Sequence, residues 1–255
     1  MKTIDSEKKK RNTLAAWYSV ATIICTFIVG QILLWLFPDG SSIWASLLFI
    51  LINLIPMITA GVFSIVSKEE KNIGHFLKQV FIQREKSEVW ILMIFVPVIY
   101  YGVSILLHNV NFTGSGIAAF LAYLPWTLLQ GGLEEVGWRW YLQAHISIRN
   151  SFVLKMLAIS VVWFLWHIPV YRLPWITAGS SNYLIFYLMI LGNTFTLGAV
   201  RQKSKGAVPC IAAHMLIDSL AVIMLVQSSM RYIVILVAVE ILLSILSVYS
   251  FNRKF

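Results

Sequence analysis

The sequence predicts an all-α fold: a polytopic membrane helix bundle of about eight transmembrane helices, with both termini on the cytoplasmic side. Apolar residues make up 59% of the chain and charged residues only 12%, whereas an ordinary soluble domain has about 25% charged residues. Apolar runs of about 20 residues, the length needed to cross the hydrocarbon core of a bilayer, recur along the chain. Short basic tracts separate these runs. Together the three observations exclude a soluble protein.

Hydropathy places eight candidate spans along the chain. Their predicted boundaries are 14–36, 43–66, 89–107, 119–141, 156–174, 183–200, 207–226 and 232–250. No proline-rich, glycine-rich or low-complexity linker divides the chain, and it has no repeat of fixed period. We therefore expect residues 1–255 to form a single integral membrane domain.

The basic residues predict the topology. With eight spans and a cytoplasmic N-terminus, seventeen of the 20 Lys and Arg residues fall on the cytoplasmic side. Only Arg172 and Arg231 fall on the other side, and Arg139 lies within a span. This is a strong positive-inside bias, and removing one helix would destroy it. The cytoplasmic set comprises Lys2, Lys8, Lys9, Lys10, Arg11, Lys68, Lys71, Lys78, Arg84, Lys86, Arg149, Lys155, Arg201, Lys203, Lys205, Arg253 and Lys254.

The longest connection, residues 67–88, alternates basic and apolar residues through 75–82. This pattern fits either an amphipathic helix on the cytoplasmic membrane face or a solvated loop. Three histidines in loops or at interfaces, His75, His108 and His145, are expected to be solvated.

The start of the fifth helix decides the depth of the polar residues that follow. The apolar pattern is interrupted between Arg139 and Lys155, so we expect the chain to bend there into an interfacial stretch. We place the start of the helix near Met156 rather than at Phe152, because the later start brings its polar residues to the depth of those in the fourth helix.

The formal charge of +9 does not indicate a nucleic-acid partner, because the basic residues lie in short tracts between apolar stretches instead of forming one patch. Cys25 and Cys210 both fall inside predicted spans and lack CxxC spacing. They predict neither a disulfide nor a thiolate metal site, and we expect them to be packing residues. The sequence also lacks the P-loop, GxGxxG and HExxH motifs.

Three short polar islands interrupt the spans, and the first contains Glu134, Glu135 and Arg139. Residues four apart share one face of a helix, so Glu135 is expected to pair with Arg139. Glu134 points about 100° away from Glu135 and is left without a cationic partner. A carboxylate unpaired in a low-dielectric interior is the stronger base, which suits it to take a proton from water.

The second and third islands each contain a histidine. His167 follows Trp163 by one turn and precedes Pro169, a proline that is expected to kink the helix and turn the imidazole inward. His214 and Asp218 are four apart on one face, so the aspartate either orients the imidazole or binds substrate beside it.

A single intramembrane glutamate or histidine is often only a packing or interhelical hydrogen-bonding residue. The full set is harder to explain in that way. At roughly 2.5–3.5 kcal/mol per charged residue at the bilayer centre, four charged residues would cost on the order of 10–14 kcal/mol before pairing and protonation. A cost of this size favours a functional site, with the islands facing each other inside the bundle.

At these residues the chain resembles the CPBP family of intramembrane endopeptidases, which includes the CAAX prenyl proteases and the bacteriocin-processing or bacteriocin-immunity (Abi) proteins. The family's Glu-Glu-x-x-x-Arg, Phe-x-x-x-His and His-x-x-x-Asn/Asp motifs match residues 134–139, 163–167 and 214–218, all within 119–226. Trp163 replaces the phenylalanine, but an aromatic side chain is kept and we expect no effect on catalysis. The first three spans match only in being hydrophobic.

The resemblance implies hydrolysis of a peptide bond in or beside the membrane. It implies that Glu134 and His167 activate a water molecule, while His214 and Asp218 stabilise the tetrahedral oxyanion. Glu135, Arg139 and Trp163 would support them. Members of the family are described both as glutamate proteases and as metalloproteases.

We expect no required cofactor. Zinc is the alternative, and Glu134, His167 and His214 would then be its three protein ligands.

The expected partners are the lipid bilayer and a membrane-associated peptide or protein, such as a bacteriocin precursor, a peptide pheromone or a prenylated tail. A non-catalytic bacteriocin-immunity or signalling scaffold of the same fold is the alternative function. A transporter is disfavoured, because the sequence shows neither inverted repeats nor paired broken helices.

The expected location is the bacterial plasma membrane, with the endoplasmic reticulum as the alternative.

Overall fold

The computed structural model describes residues 2–173 and 182–250, with side chains described from residue 6 onward. The end of the predicted span 156–174 and the basic residues Arg253 and Lys254 lie outside the described residues. The elements in chain order are α1 (Lys2–Leu36), α2 (Ile43–Val66), α3 (Ile73–Phe81), α4 (Ser87–Leu106), β1 (Val110–Phe112), α5 (Ile117–Thr127), a first π-helical segment (Leu128–Gly132), a second (Val136–Leu142), α6 (Gln143–His145), α7 (Phe152–Val170), α8 (Tyr183–Lys203), α9 (Val208–Leu220), β2 (Met224–Val226) and α10 (Met230–Ser250).

The described residues form the predicted polytopic helix bundle. Six of their helices are long and apolar enough to cross a membrane: Ser6–Leu36, Ile43–Val66, Ser87–Leu106, Phe152–Val170, Tyr183–Lys203 and Met230–Ser250. The two remaining predicted spans are also helical, but one is the shorter α9 and the other is interrupted by the two π-helical segments. The chain is therefore an integral membrane protein. The count of eight spans and the cytoplasmic termini remain predictions.

Two predicted boundaries are wrong. The fifth membrane helix, α7, begins at Phe152 and not near Met156, because the side chain of Ser151 accepts the backbone N–H of Leu154 and caps the helix. The predicted span 207–226 is helical only to Leu220. Its last three residues form β2, which pairs antiparallel with β1, with Asn111 opposite Leu225. Hydropathy does not distinguish a short apolar strand from the end of a helix.

The apolar core lies where the long helices pack together. Helix α8 packs along α10 and also contacts α7, and α4 packs against α9. Helix α1 lies beside α2 and α7, and the indole N–H of Trp166 on α7 donates to Thr26 Oγ1 on α1 at 2.7 Å. The cysteines differ: Cys210 is buried as expected, whereas Cys25 faces outward on α1. The helices thus bury residues 131–143, which carry the first polar island, beside α9, which carries the third.

Glu240 is a fully buried acid on α10, away from the three polar islands. Within the described part of the chain, neither of its carboxyl oxygens has a hydrogen-bond partner. It fits between the helices because it lies against Gly192 of α8, where any side chain would overlap its carboxyl group.

The predicted amphipathic segment in the longest connection is α3, so the helical interpretation is confirmed, although its position on the membrane is untested. Asn72 caps it, and Phe76 and Val80 are buried. The connection also secures the start of α9. Glu85 accepts the backbone N–H groups of Lys205 and Gly206 at 2.9 and 2.7 Å.

The prediction that His145 is solvated is wrong, because its side chain is buried at the end of α6. Its Nδ1 donates to the carbonyl of Tyr141 at 2.8 Å, and its Nε2 lies 2.9 Å from Glu69 Oε1. The ring also stacks on Tyr141 with centroids 4.0 Å apart. The contact with Glu69 therefore ties the connection after α2 to the helix that carries the first polar island.

This contact predicts a pH-dependent stability. The hydrogen bond to His145 is the main reason that the pKa of Glu69 lies below its ordinary value of 4.5, despite partial burial, which raises it. The carboxylate's contribution to stability is therefore present above pH 4.5 and is lost as the pH falls through the lower folded-state pKa. We expect Glu69→Gln to flatten the fall in thermal midpoint between about pH 5 and about pH 3. The half-buried Glu88→Gln is the control, because Glu88 makes only a long contact with the exposed Lys86 at 3.8 Å, and equal slopes in the two variants would contradict the prediction.

Candidate active site

The first polar island lies on a helical stretch that departs from α-helical geometry. Glu134 and Glu135 sit between the two π-helical segments, and the N–H of Leu133 bonds to the carbonyl of Leu128, five residues earlier, at 2.9 Å. Runs of π-helix are rare and occur frequently at functional sites. The wider turns let side chains from this single stretch reach both α7 and α9.

Glu135 forms the predicted ion pair with Arg139. Arg139 Nε donates to Glu135 Oε2 at 2.8 Å, and both side chains are fully buried. Glu135 has a second contact that the sequence did not predict: its Oε1 lies 2.9 Å from Nδ1 of His214 on α9. One carboxylate therefore bridges the first and third polar islands.

Glu134 is buried and, as predicted, has no cationic partner among the described residues. Its Oε2 instead accepts two indole N–H groups, from Trp138 at 3.2 Å and from Trp163 at 3.3 Å. Trp138 was missed by the sequence analysis. Its position four residues after Glu134, on the same helix face, was the signal that could have found it.

His167 is oriented by its own helix. Its Nδ1 lies 2.8 Å from the carbonyl oxygen of Trp163. A carbonyl only accepts, so Nδ1 carries the proton and Nε2 keeps its lone pair. Helix α7 continues through Pro169 to Val170, and the ring also packs on Tyr171 and Phe186, with centroids 5.6 and 5.1 Å away.

His214 lies between two carboxylates. Its Nδ1 faces Glu135, and its Nε2 lies 3.5 Å from Asp218 Oδ2. A carboxylate oxygen only accepts, so Nδ1 donates to Glu135, whereas the contact between Nε2 and Asp218 is longer than an ordinary hydrogen bond. Asp218 is the most open member of the group, with 37% of its side chain exposed against 12% for His214 and none for Glu135. The site therefore opens at Asp218 and is closed behind Glu135.

The structure thus brings all seven predicted site residues together through a continuous set of contacts. Trp163 contacts Glu134, and its ring centroid lies 5.6 Å from those of both His167 and His214. No direct hydrogen bond joins Glu134 to His167 within the described ranges.

The zinc alternative has no preformed ligand cluster among the described residues. Across the described residues, no group of three or more His, Cys, Asp or Glu side chains is arranged so that it could hold a metal ion. Nδ1 of His167 lies beside a carbonyl and Nδ1 of His214 beside a carboxylate, contacts that histidines make both in metal sites and in metal-free sites. The absence of a required cofactor and the zinc alternative both stay predictions.

Gly131 is a further residue that the sequence analysis missed. A Cβ at this position would overlap Asp218 Oδ2 and lie 3.2 Å from Nε2 of His214. The π-helical stretch can approach α9 this closely only because residue 131 has no side chain.

Gly131→Ala is therefore expected to displace the His214–Asp218 pair. A displacement of about 1 Å in a catalytic group can cost about 100-fold in rate, so we expect a loss of that order in kcat. Gly102→Ala on α4 is the control, because a Cβ there meets nothing within 4 Å. Turnover measurements on the two purified variants test this, and equal activities would contradict it.

The fold and the site define a class: an integral membrane protein with a buried acid, two histidines and an aspartate brought together from separate helices. Residues 116–220 match the family model described as Rce1-like, type II CAAX prenyl endopeptidase Rce1-like. The matched region includes all three motifs, so the resemblance inferred from them is confirmed there. The match supports a protease that acts on membrane-associated substrates. No curated protein matches the chain.

Proposed function

We propose that this protein is an intramembrane endopeptidase that hydrolyses a peptide bond in a membrane-associated peptide or protein, as in CAAX-type processing. One observation carries the proposal. Glu134 is a buried carboxyl group that has no cationic partner among the residues the structure describes, and two indole N–H groups hold it where the three polar islands meet. A structural acid would be expected to pair with the arginine one turn away, but Glu135 takes that role.

In the proposed reaction Glu134 and His167 activate the attacking water. Glu134 Oε1 is not used by the two indoles, which both donate to Oε2. The carboxylate removes a proton from water while Nε2 of His167 accepts a hydrogen bond from the same molecule. The resulting hydroxide adds to the carbonyl carbon of the peptide bond. Glu134 then gives the proton to the departing amine as the C–N bond breaks.

His214 and Asp218 are proposed to stabilise the tetrahedral intermediate. Nε2–H of His214 is a donor at the open end of the site, and its contact with Asp218, at 3.5 Å, is long enough to be exchanged for a bond to an oxyanion. Glu135 holds the other ring nitrogen at 2.9 Å and is itself held by Arg139. The donor is therefore aligned before substrate binds, which is the condition for effective electrostatic stabilisation.

The position of the site supports the proposed substrate class. A peptide must reach a site among membrane helices, so the proposed substrates are membrane-anchored or amphipathic: a prenylated tail, a bacteriocin precursor or a peptide pheromone. The bacterial plasma membrane is the proposed location.

The proposal is tested by comparing peptides from cells that express wild type or Glu134→Gln at matched membrane levels. Mass spectrometry of peptide termini is expected to find a new terminus only with wild type. Identical profiles, with an immunity or signalling phenotype preserved in the variant, would replace the protease with the non-catalytic scaffold.

A further inference from the structure

We propose that Trp163 is a positioning residue for the hydrolysis, and that its indole N–H holds the carboxylate of Glu134 in place for attack. The inference rests on the proposed function and concerns the one position where the second motif departs from the family pattern. A phenylalanine there could pack in the same space, but it could not donate a hydrogen bond.

Trp163 contacts the two residues proposed to activate water through different atoms. Its indole Nε1 donates to Glu134 Oε2 at 3.3 Å, while its backbone carbonyl accepts from Nδ1 of His167 at 2.8 Å. The side chain is only 3% exposed. The carbonyl bond to His167 would be kept by any residue at position 163, whereas the bond to Glu134 depends on the indole and links the carboxylate to the helix of His167.

The ring of Trp163 also packs against the other side of the site. The guanidinium carbon of Arg139 lies 4.8 Å above the ring centroid, and the ring of His214 meets it edge-on at 85°. A cation over an indole face is attracted to it, and so this contact fixes the plane of the ring. The N–H is therefore held in a direction that the carboxylate of Glu134 can use.

Two donors on one oxygen restrict the terminal rotation of the carboxylate. Trp138 supplies the second donor from the same helix as Glu134, whereas Trp163 ties the carboxylate to α7. Without the bond from Trp163, the carboxylate keeps its link to its own helix but loses its link to the helix of His167. The orientation of the carboxylate toward α7 is then no longer held by a hydrogen bond.

The test is Trp163→Phe, measured with a fluorogenic S-farnesyl CAAX peptide in mixed micelles. Packing is largely kept and the N–H is lost, so we expect kcat to fall about 10- to 100-fold while KM changes less than about twofold. Site-specific benzothienylalanine at position 163, which keeps the shape of tryptophan and lacks the N–H, is expected to give the same loss.

Trp166→Phe is the matched control. It makes the same exchange one turn further along α7 and removes the indole N–H bond to Thr26, so it is expected to lower the thermal midpoint with kcat within about twofold of wild type. Wild-type kcat in Trp163→Phe, with Glu134→Gln inactive, would overturn the positioning role and leave the protease intact. A loss in Trp163→Phe that only follows its thermal midpoint would also overturn it. No turnover of this peptide by wild type, together with identical peptide termini from cells that express wild type and Glu134→Gln, would overturn both proposals.

Discussion

Glu134→Gln is expected to lower the rate of peptide hydrolysis by about 100- to 10,000-fold, the range that a positioned general base contributes. Glutamine keeps the size of the side chain and can still accept the N–H groups of Trp138 and Trp163, but it cannot take a proton from water. The variant should therefore accumulate and bind substrate like wild type. Purified enzyme assayed by terminal-peptide mass spectrometry gives both kcat and KM.

The matched control is Glu240→Gln. Glu240 is also a fully buried acid on a membrane helix, but it lies against Gly192, away from the three polar islands. We expect it to retain wild-type kcat. Similar losses in the two variants would mean that any change to a buried acid disturbs the bundle, and Glu134 would lose its assigned role.

Arg139→Met is expected to have the largest effect on stability. The change leaves the fully buried Glu135 without its cation, and breaking a buried ion pair in this way costs about 3–5 kcal/mol. For a chain of this size each kcal/mol corresponds to about 2–4 °C, so the thermal midpoint in detergent should fall by roughly 6–20 °C. Cleavage should fall with it, because Glu135 also aligns His214.

Two further variants test whether the loss of stability comes from the Glu135–Arg139 ion pair. The exposed Arg84→Met should leave the thermal midpoint within about 1–2 °C of wild type. The double variant Glu135→Gln/Arg139→Met should recover much of the stability, since it removes both buried charges together. It should remain slow in catalysis, because a neutral amide holds the His214 ring less firmly than a carboxylate. A double variant as unstable as Arg139→Met would contradict this account.

The local part of the site was predictable because helix periodicity acts within one element. Glu135 and Arg139 are four apart, as are His214 and Asp218, and both predicted contacts are present. The N-cap that starts α7 was also readable, because Ser151 stands directly before an apolar run. The Met156 start was wrong because it relied on depth in the membrane, for which hydropathy gives only coarse limits.

Contacts between elements were not predictable in the same way. The bond between Glu135 and His214 joins residues 79 positions apart, and that from Trp163 to Glu134 joins residues 29 positions apart. Neither spacing has a periodic signature. The role of Gly131 was equally hidden, since the need for a missing side chain arises only when a second helix packs against it.

The sequence by itself determined the membrane class, the helical bundle and the set of candidate site residues. Hydropathy and the cost of burying charge act on each segment independently of the others. Only the tertiary structure decided which of those residues contact each other. In the structure Glu135 contacts both Arg139 and His214, and Glu134 accepts two indole N–H groups. Asp218 lies at the open end of the site. These assignments depend on how helices distant in the sequence pack together, because hydrogen bonds and ion pairs form only where packing brings their partners within about 3 Å.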